Sequence, residues 1–418
     1  MTNIKYVNEL FEFIKNSPSV YHNINLVKGI LNSFNFQELK ENEKWKLENN
    51  KNYYVVRSDA SIIMFKIGND PHGFNIICSH NDSPSFKIKP NYETTSLSYV
   101  RAKVETYGSP LYFTWFDRPL SLAGRVLVKT KTGVDSRLVD LTSHKFIVPS
   151  VAPHVGNIDV QKPSVQNELI PIVGLNGSSL KELIKSRTCF EEGEEILSHD
   201  LFLYNKEEPS SIGVNHEMIS TCKLDDLECA FTSLEAFLES TNNEMINTCV
   251  IFNNEEIGSA SNNAAASTFL TDVFERICNC LGLDKYVMYA SSFLVSADNA
   301  HAVHPSRIGS TDIENPVFMN KGIVIKQSAS LSYTSDALSM AKFENILVNN
   351  KIPYQVFANN SDIRGGGTLG RILLSHLSVT CVDIGLAQLS MHSCYETAGA
   401  HDLEYMVKGL KAFYETNK

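Results

Sequence analysis

The sequence predicts an α/β fold, a mostly parallel sheet covered by helices, with a separate β-rich domain inserted into it. The parallel sheet is predicted from short, uncharged apolar runs, which are typical of strands buried on both faces, at residues 74–79, 248–252, 292–296 and 378–384. The insertion is predicted from a change of character after about residue 90, where short β-like runs alternate with Gly and Pro turns.

The amino-terminal part predicts two helices and a hairpin before the first buried strand. The first helix follows from apolar residues on one face at Leu10, Phe11, Phe13 and Ile14, and the second is predicted over 20–34. The runs 53–57 and 61–66 flank a turn and predict the hairpin. The strand at 74–79 follows.

The middle of the chain predicts the β-rich domain. Its β-like runs lie at 100–106, 111–115, 122–129 and 137–141, and one helix is predicted at 180–186. From Asp225 onward, strands again alternate with helices, as in a covered parallel sheet. We therefore expect one catalytic domain, formed by residues 1–90 plus 223–418, and an inserted domain over 91–222.

Composition excludes several classes of protein. The 418 residues carry a formal charge of −10, which argues against nucleic acid and anionic membranes as main partners. No apolar stretch approaches the roughly 20 residues that span a bilayer, and the first residues lack the layout of a signal peptide. The nine cysteines are scattered, which predicts small buried thiols rather than disulfides. These features predict a soluble cytoplasmic protein.

The predicted parallel strands are followed by residue types that bind zinc. The segments that follow the strands carry His80 and Asp82, Glu255 and Glu256, Asp298, and His392, while Asp225 begins a helical pattern. Because open α/β sheets place their ligands at the carboxyl ends of the strands, we expect these side chains to meet at one edge. The sequence therefore predicts a metal site there.

Glu255 and Glu256 are the most informative pair. Adjacent side chains diverge, so one carboxylate can hold a metal ion while the other reaches a water molecule. Such pairs also occur at exposed helix starts, and the pair alone does not decide between a site and a solvated surface. The acids and histidines at the neighbouring strand ends favour the site.

At this point the chain resembles the aspartyl aminopeptidase family of di-zinc metallo-aminopeptidases. The motifs that carry the resemblance are Ser79-His-Asn-Asp-Ser-Pro84, Asn254-Glu-Glu-Ile-Gly-Ser259, Ser296-Ala-Asp-Asn-Ala-His-Ala-Val-His-Pro305 and Met391-His-Ser393. The resemblance implies an inserted β dimerisation domain, peptides with acidic amino-terminal residues as substrates, and a homo-oligomer that is a tetrahedral dodecamer built from dimers.

The resemblance also implies a ligand set for two divalent ions, zinc first and cobalt or manganese as alternatives. His80 and Asp298 complete one metal, Glu256 and His392 complete the other, and Asp225 bridges the two. One departure is Asn253, where many members carry Asp. That change alters no implied ligand.

Three further residues receive catalytic roles from the resemblance. Glu255 is the general base, Asp82 orients His80, and His154 of the β-rich domain is lent to a neighbouring subunit's site. Counting histidines alone would make His80, His154 and His392 the metal ligands. We prefer the carboxylate-rich set, because His154 lies in the other domain. Taken singly, Asp82 is also explained as a turn residue and His154 as a structural histidine.

The substrate side is assigned to Lys326, His301 and Gly367. Lys326 could pair with an acidic substrate group, or it could be a solvated lysine at a strand end. His301 could equally be a core or loop histidine. Gly367 lies in a glycine-rich stretch that lacks the lysine of a phosphate loop, so a tight turn lining the substrate pocket is the better interpretation.

These residues favour a metallo-aminopeptidase that uses an activated water and the Glu255 base. Two alternatives stay open from the sequence. One is a related metallo-deacylase or carboxypeptidase with the same metal set, and the other is a non-catalytic assembly subunit that keeps its metals for structure. Glu255 argues against the second alternative, because a general base beside the metals serves no structural need.

Overall fold

The computed structural model describes residues 4–416 except 160, 189, 242–243 and 364. The helices are α1 Ile4–Lys15, α2 Val20–Ser33, α3 Leu180–Ser186, α4 Leu224–Glu239, α5 Phe269–Leu281, α6 Lys285–Ala290, α7 Ala337–Asn349, α8 Leu369–Leu374 and α9 Asp402–Glu415. The strands are β1 Gln37–Glu38, β2 Asn52–Arg57, β3 Ser61–Ile67, β4 Phe74–His80, β5 Ser85–Ser96, β6 Tyr99–Tyr107, β7 Leu120–Lys129, β8 Val134–Asp140, β9 Ile172–Leu175, β10 Glu195–Asn205, β11 Ser210–Ile212, β12 Met218–Thr221, β13 Ile246–Phe252, β14 Phe293–Ala297, β15 Ala300–His301, β16 Ile323–Gln327, β17 Tyr354–Ala358, β18 Thr380–Gly385, β19 Ala387–Leu389 and β20 Glu396–Gly399.

The largest sheet has nine strands in the order β1-β2-β3-β13-β4-β14-β18-β16-β17. Its central strands β13, β4, β14 and β18 run parallel to one another. Every residue of β4 and β13 is buried, because helices cover both faces of the sheet. Helices α1, α2, α4, α7 and α9 join the core on one face, and α5, α6 and α8 join the core on the other. The predicted α/β class is confirmed.

A second sheet lies mostly within the predicted insertion, although its strand β5 begins at Ser85, before residue 91. It is antiparallel, has six strands in the order β8-β7-β10-β5-β6-β9, and buries its own apolar cluster together with α3. A third sheet, β11-β12-β20-β19-β15, joins the end of the insertion to the carboxyl-terminal part of the chain. The boundaries 1–90, 91–222 and 223–418 stay predictions.

The structure corrects two expectations. The predicted strand at 111–115 is a 3₁₀ helix at Tyr112–Trp115, where Trp115 is buried and meets the Phe86 ring edge-on at 5.0 Å. Its apolar pattern comes from this packing and not from strand pairing. Cys280, expected to be buried, is exposed, while the other described cysteines are buried and free, and Cys189 lies outside the described residues. None of the described helices is both long and apolar enough to cross a membrane.

Candidate metal centre

The carboxyl ends of the central strands bring the predicted site residues to one edge of the large sheet. His80 is the last residue of β4 and lies opposite Phe252, the last residue of β13. Glu255 and Glu256 follow β13 in a short 3₁₀ turn, and Asp298 follows β14. Asp225 enters from the non-helical start of α4, where the Asp225–Asp226 peptide bond is cis. His392 lies in the turn between β19 and β20.

Asp225 stands between two histidines. Its Oδ1 lies 3.5 Å from His80 Nε2, and its Oδ2 lies 3.5 Å from His392 Nε2. Two sets of potential ligands share this carboxylate, each with its ligand atoms within 4.8 Å of one another. We name them the inner group (His80, Asp225, Asp226, Asp298) and the outer group (Asp225, Glu256, His392).

The donor atoms of both groups fit divalent ions. Buried oxygens of Asp225, Asp226 and Glu256 have no hydrogen-bond partner among the described residues, although buried carboxylates normally have one. His80 Nδ1 lies 3.0 Å from the Asp82 carbonyl, and His392 Nδ1 lies 3.1 Å from the Ser109 carbonyl. A carbonyl oxygen only accepts, so each Nδ1 carries its hydrogen and each Nε2 is available to a metal ion.

Electrostatics point the same way. Burial raises the pKa of Glu255 to about 8 and raises that of Glu256 well above its usual value. Burial also raises the pKa of Asp226 well above its ordinary range. Burial lowers the pKa of His80, but the surrounding carboxylates, Asp226 foremost, outweigh it and hold that pKa well above its usual value. Crowded carboxylates of this kind are stabilised by bound cations.

Glu255 and Glu256 diverge as predicted for adjacent side chains. Glu256 Oε2 lies 3.6 Å from His392 Nε2, within the outer group. Glu255 belongs to neither group, and its Oε2 lies 4.0 Å from His80 Nε2. Glu255 therefore lies beside the two groups of potential ligands and not within them.

Asp82 holds the turn that carries both glutamates. The backbone N–H groups of Glu255 and Glu256 donate to its two carboxylate oxygens, each at 3.1 Å. Its Oδ1 also lies 3.4 Å from His80 Nδ1. Asp82 is thus in contact with one histidine and with both halves of the glutamate pair. The contact with His80 is compatible with the predicted orienting role of Asp82, which stays a prediction.

Sequence reasoning missed two acids of the centre. Asp226 lies in the inner group, and its Oδ2 accepts the backbone N–H of His80 at 3.1 Å. Glu396 is buried and accepts the backbone N–H groups of Asp225 at 3.0 Å and His392 at 2.7 Å. The signal for Asp226 was its place beside Asp225. Glu396 gave no signal, because its role arises from the pairing of β12 with β20.

A cavity of about 270 Å³ opens onto both groups. His301, Lys326 and Gly367 line it, together with Tyr333 and Phe357. Lys326 is 2 % exposed, so it is not a solvated lysine at a strand end. Its Nζ donates to the carbonyls of Asp298 at 2.7 Å and Asn299 at 3.1 Å. Lys326 thereby supports the backbone of an inner-group residue.

His154 and Asn253 lie away from this cavity. His154 is in an exposed turn of the insertion and is among neither the cavity-lining residues nor the two ligand groups. Asn253 is 7 % exposed and lines a separate cavity of about 550 Å³ between the two larger sheets. The structure thus brings together every predicted site residue except His154.

At the carboxyl edge of the large sheet, two histidine-containing groups share one carboxylate. This arrangement is typical of metal-dependent hydrolases. Comparison with known proteins then gives the family. Residues 13–414 match the model of the family described as Aminopeptidase I zinc metalloprotease (M18). The chain therefore belongs to the M18 family of zinc metalloproteases, which are aminopeptidases, that is, exopeptidases of the hydrolase class.

Relatives resemble the chain over nearly its whole length. A probable M18 family aminopeptidase 2 of Clostridium novyi is 40 % identical over 98 % of this chain and 99 % of its own. The solved structure of the Ape4 and Nbr1 complex contains a similar chain, with a TM-score of 0.92, 32 % identity, and coverage of 98 % of this chain and 85 % of that chain. The mApe1 dodecamer of S. cerevisiae gives a TM-score of 0.85 and 25 % identity, with coverage of 97 % and 95 %.

Proposed function

We propose that this chain is an aspartyl aminopeptidase, which removes acidic residues, Asp or Glu, from the amino termini of peptides with two divalent ions and Glu255 as the general base. The observation that carries the proposal is the position of Asp225, which offers one oxygen to each of two histidine-containing groups. One ion is assigned to the inner group and one to the outer group. Zinc is the first candidate, with cobalt or manganese as alternatives.

The chemistry follows from the residues around the ions. Divalent ions, when bound, polarise the peptide carbonyl and make a water molecule more acidic. Glu255 takes a proton from that water as the water oxygen forms a bond to the carbonyl carbon. Glu255 then returns the proton to the leaving nitrogen as the peptide C–N bond breaks. A base beside the ligands, and not among them, is free to move that proton.

The preference for acidic residues is assigned to Lys326. It is the one lysine or arginine among the described residues that line the cavity, and its ammonium group is buried beside the site. A buried cation attracts a substrate carboxylate more strongly than an exposed one, because water screens it less. His301 and Gly367 are assigned to the cavity wall against which the substrate rests.

Rates on a set of 4-nitroanilides test this function. We expect Asp- and Glu-4-nitroanilide to be cleaved at least about tenfold faster than the Leu and Lys compounds, with the ratio measured separately under zinc, cobalt and manganese. N-acetyl-Asp-4-nitroanilide is the control for the free amine. Release of acetate from this blocked compound, with Asp-4-nitroanilide as the other product, would support the deacylase alternative. Lys326→Met should reduce the Asp-to-Leu ratio, and the surface variant Lys408→Met should leave it unchanged.

The oligomer is a second part of the proposal. A relative assembles as a dodecamer, and His154 is exposed on the insertion away from its own cavity. We assign the chain to a tetrahedral dodecamer built from dimers, in which His154 reaches a neighbouring subunit's site. Mixed oligomers of Glu255→Gln and His154→Ala subunits, verified by mass, should recover part of the activity. No recovery would return His154 to a structural role. The free cysteines fit a reducing cytoplasm.

A further inference from the structure

The loop that follows β6 runs from the β-rich sheet directly onto the metal centre. We name residues 107–111 the positioning segment. At its start, Tyr107 donates its hydroxyl hydrogen to Asp82 Oδ2 at 2.7 Å and accepts from Asn254 Nδ2 at 2.8 Å. The Tyr107 hydroxyl thus contacts both Asp82, which accepts the N–H groups of the Glu255–Glu256 turn, and Asn254, which directly precedes that turn.

Asp82 connects Tyr107 directly to Glu255 and Glu256. Asp82 accepts the backbone N–H groups of Glu255 and Glu256, so a shift of this carboxylate moves the general base and an outer-group ligand together. The Asp82 backbone carbonyl accepts from His80 Nδ1, which couples the inner group to the same residue. Tyr107 itself is held by an edge-on contact with Phe202 of β10, with ring centroids 5.3 Å apart.

The other end of the positioning segment holds His392. The Ser109 carbonyl accepts from His392 Nδ1 at 3.1 Å, and the Leu111 N–H donates to the His392 carbonyl at 3.0 Å. Gly108, next to Ser109, lies so close to the Glu255–Glu256 turn that an added Cβ would stand 3.2 Å from the Glu256 Cβ. Both outer-group side chains other than Asp225 therefore rest on the positioning segment.

We propose that Tyr107 is a positioning residue for the catalytic turn, through which the β-rich insertion sets the geometry of the metal centre. This inference rests on the proposed function for its kinetic consequences, and on the hydrogen bonds of the segment for its effect on metal affinity. Tyr107 is among neither the residues that line the cavity of about 270 Å³ nor the two ligand groups. Its hydroxyl acts through Asp82 and Asn254. The insertion is thereby part of the active centre as well as the predicted oligomerisation domain.

The test compares Tyr107→Phe with Tyr21→Phe in the full-length, metal-loaded oligomer. Tyr21 is a matched control, because its hydroxyl also donates to a carboxylate, Asp200 Oδ2 at 3.0 Å, and its ring lines the same cavity between the sheets. We expect Tyr107→Phe to lower kcat on Asp-4-nitroanilide about 10- to 100-fold. We expect it to weaken binding of the zinc ion assigned to the outer group by a similar factor. KM should stay within about twofold of the wild type.

Tyr21→Phe should change neither kcat nor zinc affinity, while both variants lose thermal stability to a similar extent. Equal kcat in Tyr107→Phe and wild type, or equal losses of kcat and zinc affinity in Tyr107→Phe and Tyr21→Phe, would overturn the proposal. Zinc affinity, measured by titration, needs no substrate. A wild type that fails to cleave the Asp compound therefore counts against the proposed function, while the zinc titration still decides the role of Tyr107.

A double-mutant cycle with Asp82→Asn separates a positioning role from general packing. If Tyr107 acts through Asp82, its substitution should lower zinc affinity by less than about threefold in the Asp82→Asn background, because coupled residues are not additive. Tyr21→Phe should be additive with Asp82→Asn. Full additivity for Tyr107→Phe would show that its hydroxyl does not act through this carboxylate.

Discussion

The inner and outer groups share one carboxylate but are built differently. His80 and Asp298 of the inner group follow central strands of the large sheet, and their exposures are 1 % and 8 %. The outer group draws Glu256 from a 3₁₀ turn and His392 from a turn between short strands, and the His392 side chain is 30 % exposed. Its shape depends on the positioning segment. Ligands on rigid elements keep their geometry more precisely than ligands on loops.

Removal of the carboxylate that both groups share should have the largest effect. Asp225→Asn should abolish activity and deplete both ions, since a neutral amide offers only one oxygen ligand and no charge to either group. Elemental analysis after dialysis measures the ions. Asp272→Asn, which changes a carboxylate in the Arg57 ion pair, is the control and should keep both ions. Retention of one ion by Asp225→Asn would place the bridge elsewhere.

The adjacent glutamates should separate catalysis from binding. Glu255→Gln should lower kcat by about 10²- to 10⁴-fold and keep both ions, because it removes a proton acceptor and no ligand. Glu256→Gln should lose the outer ion and keep the inner one. Activity assays and elemental analysis on the same preparations distinguish the two. Metal loss in Glu255→Gln instead of Glu256→Gln would mean that the two roles are exchanged.

The inner group was more predictable from the sequence than its surroundings. Each buried strand is an apolar run, and the polar residue at its end is visible in the sequence, as at His80 and Asp298. Parallel pairing then places these ends together. The start of α4 was visible in the same way, through an acid before a helical pattern.

The supports of the outer group were not predictable by this route. Tyr107 ends a β-like run, and neither it nor Ser109 or Glu396 stands in a metal-binding spacing. Their roles come from contacts between sheets, such as the Tyr107–Asp82 hydrogen bond across 25 residues and the Ser109–His392 contact across 283. The 3₁₀ helix at Tyr112–Trp115 was mistaken for a strand for a related reason, since Trp115 is buried and Tyr112 partly buried by tertiary packing.

A chelator should distinguish the two groups by the rate at which each releases its ion. We expect a competing chelator to remove metal in two phases, the outer ion first, because His392 is reached by solvent and His80 is not. His392→Ala should eliminate the fast phase and leave the slow one. His80→Ala should instead reduce the amplitude of the slow phase, which reports release of the inner ion. A single phase in the wild type, measured by a metal-sensitive dye, would contradict a difference in the rate of metal release between the two groups.

The smallest expected effect comes from a single methyl group on the positioning segment. Gly108 has a φ of +68°, and an added Cβ would lie 3.2 Å from Glu256 Cβ and 3.3 Å from Pro84 Cα. Gly282, at the end of α5, has a φ of +67° and nothing within 4 Å of an added Cβ. Alanine at either site should cost about 1 kcal/mol of unfolding free energy from the positive φ. Thermal or denaturant unfolding measures that shared cost.

Only Gly108→Ala should disturb the centre. The added methyl group pushes against the Glu256 stem, so outer-ion affinity and kcat should each fall by about three- to tenfold, while the inner ion is retained. Gly282→Ala should match the wild type in both measurements. Equal metal affinity in the two variants would show that the outer group tolerates movement of the positioning segment. A loss of the inner ion as well would show that the two groups move as one unit, because Asp225 and Asp82 tie them together.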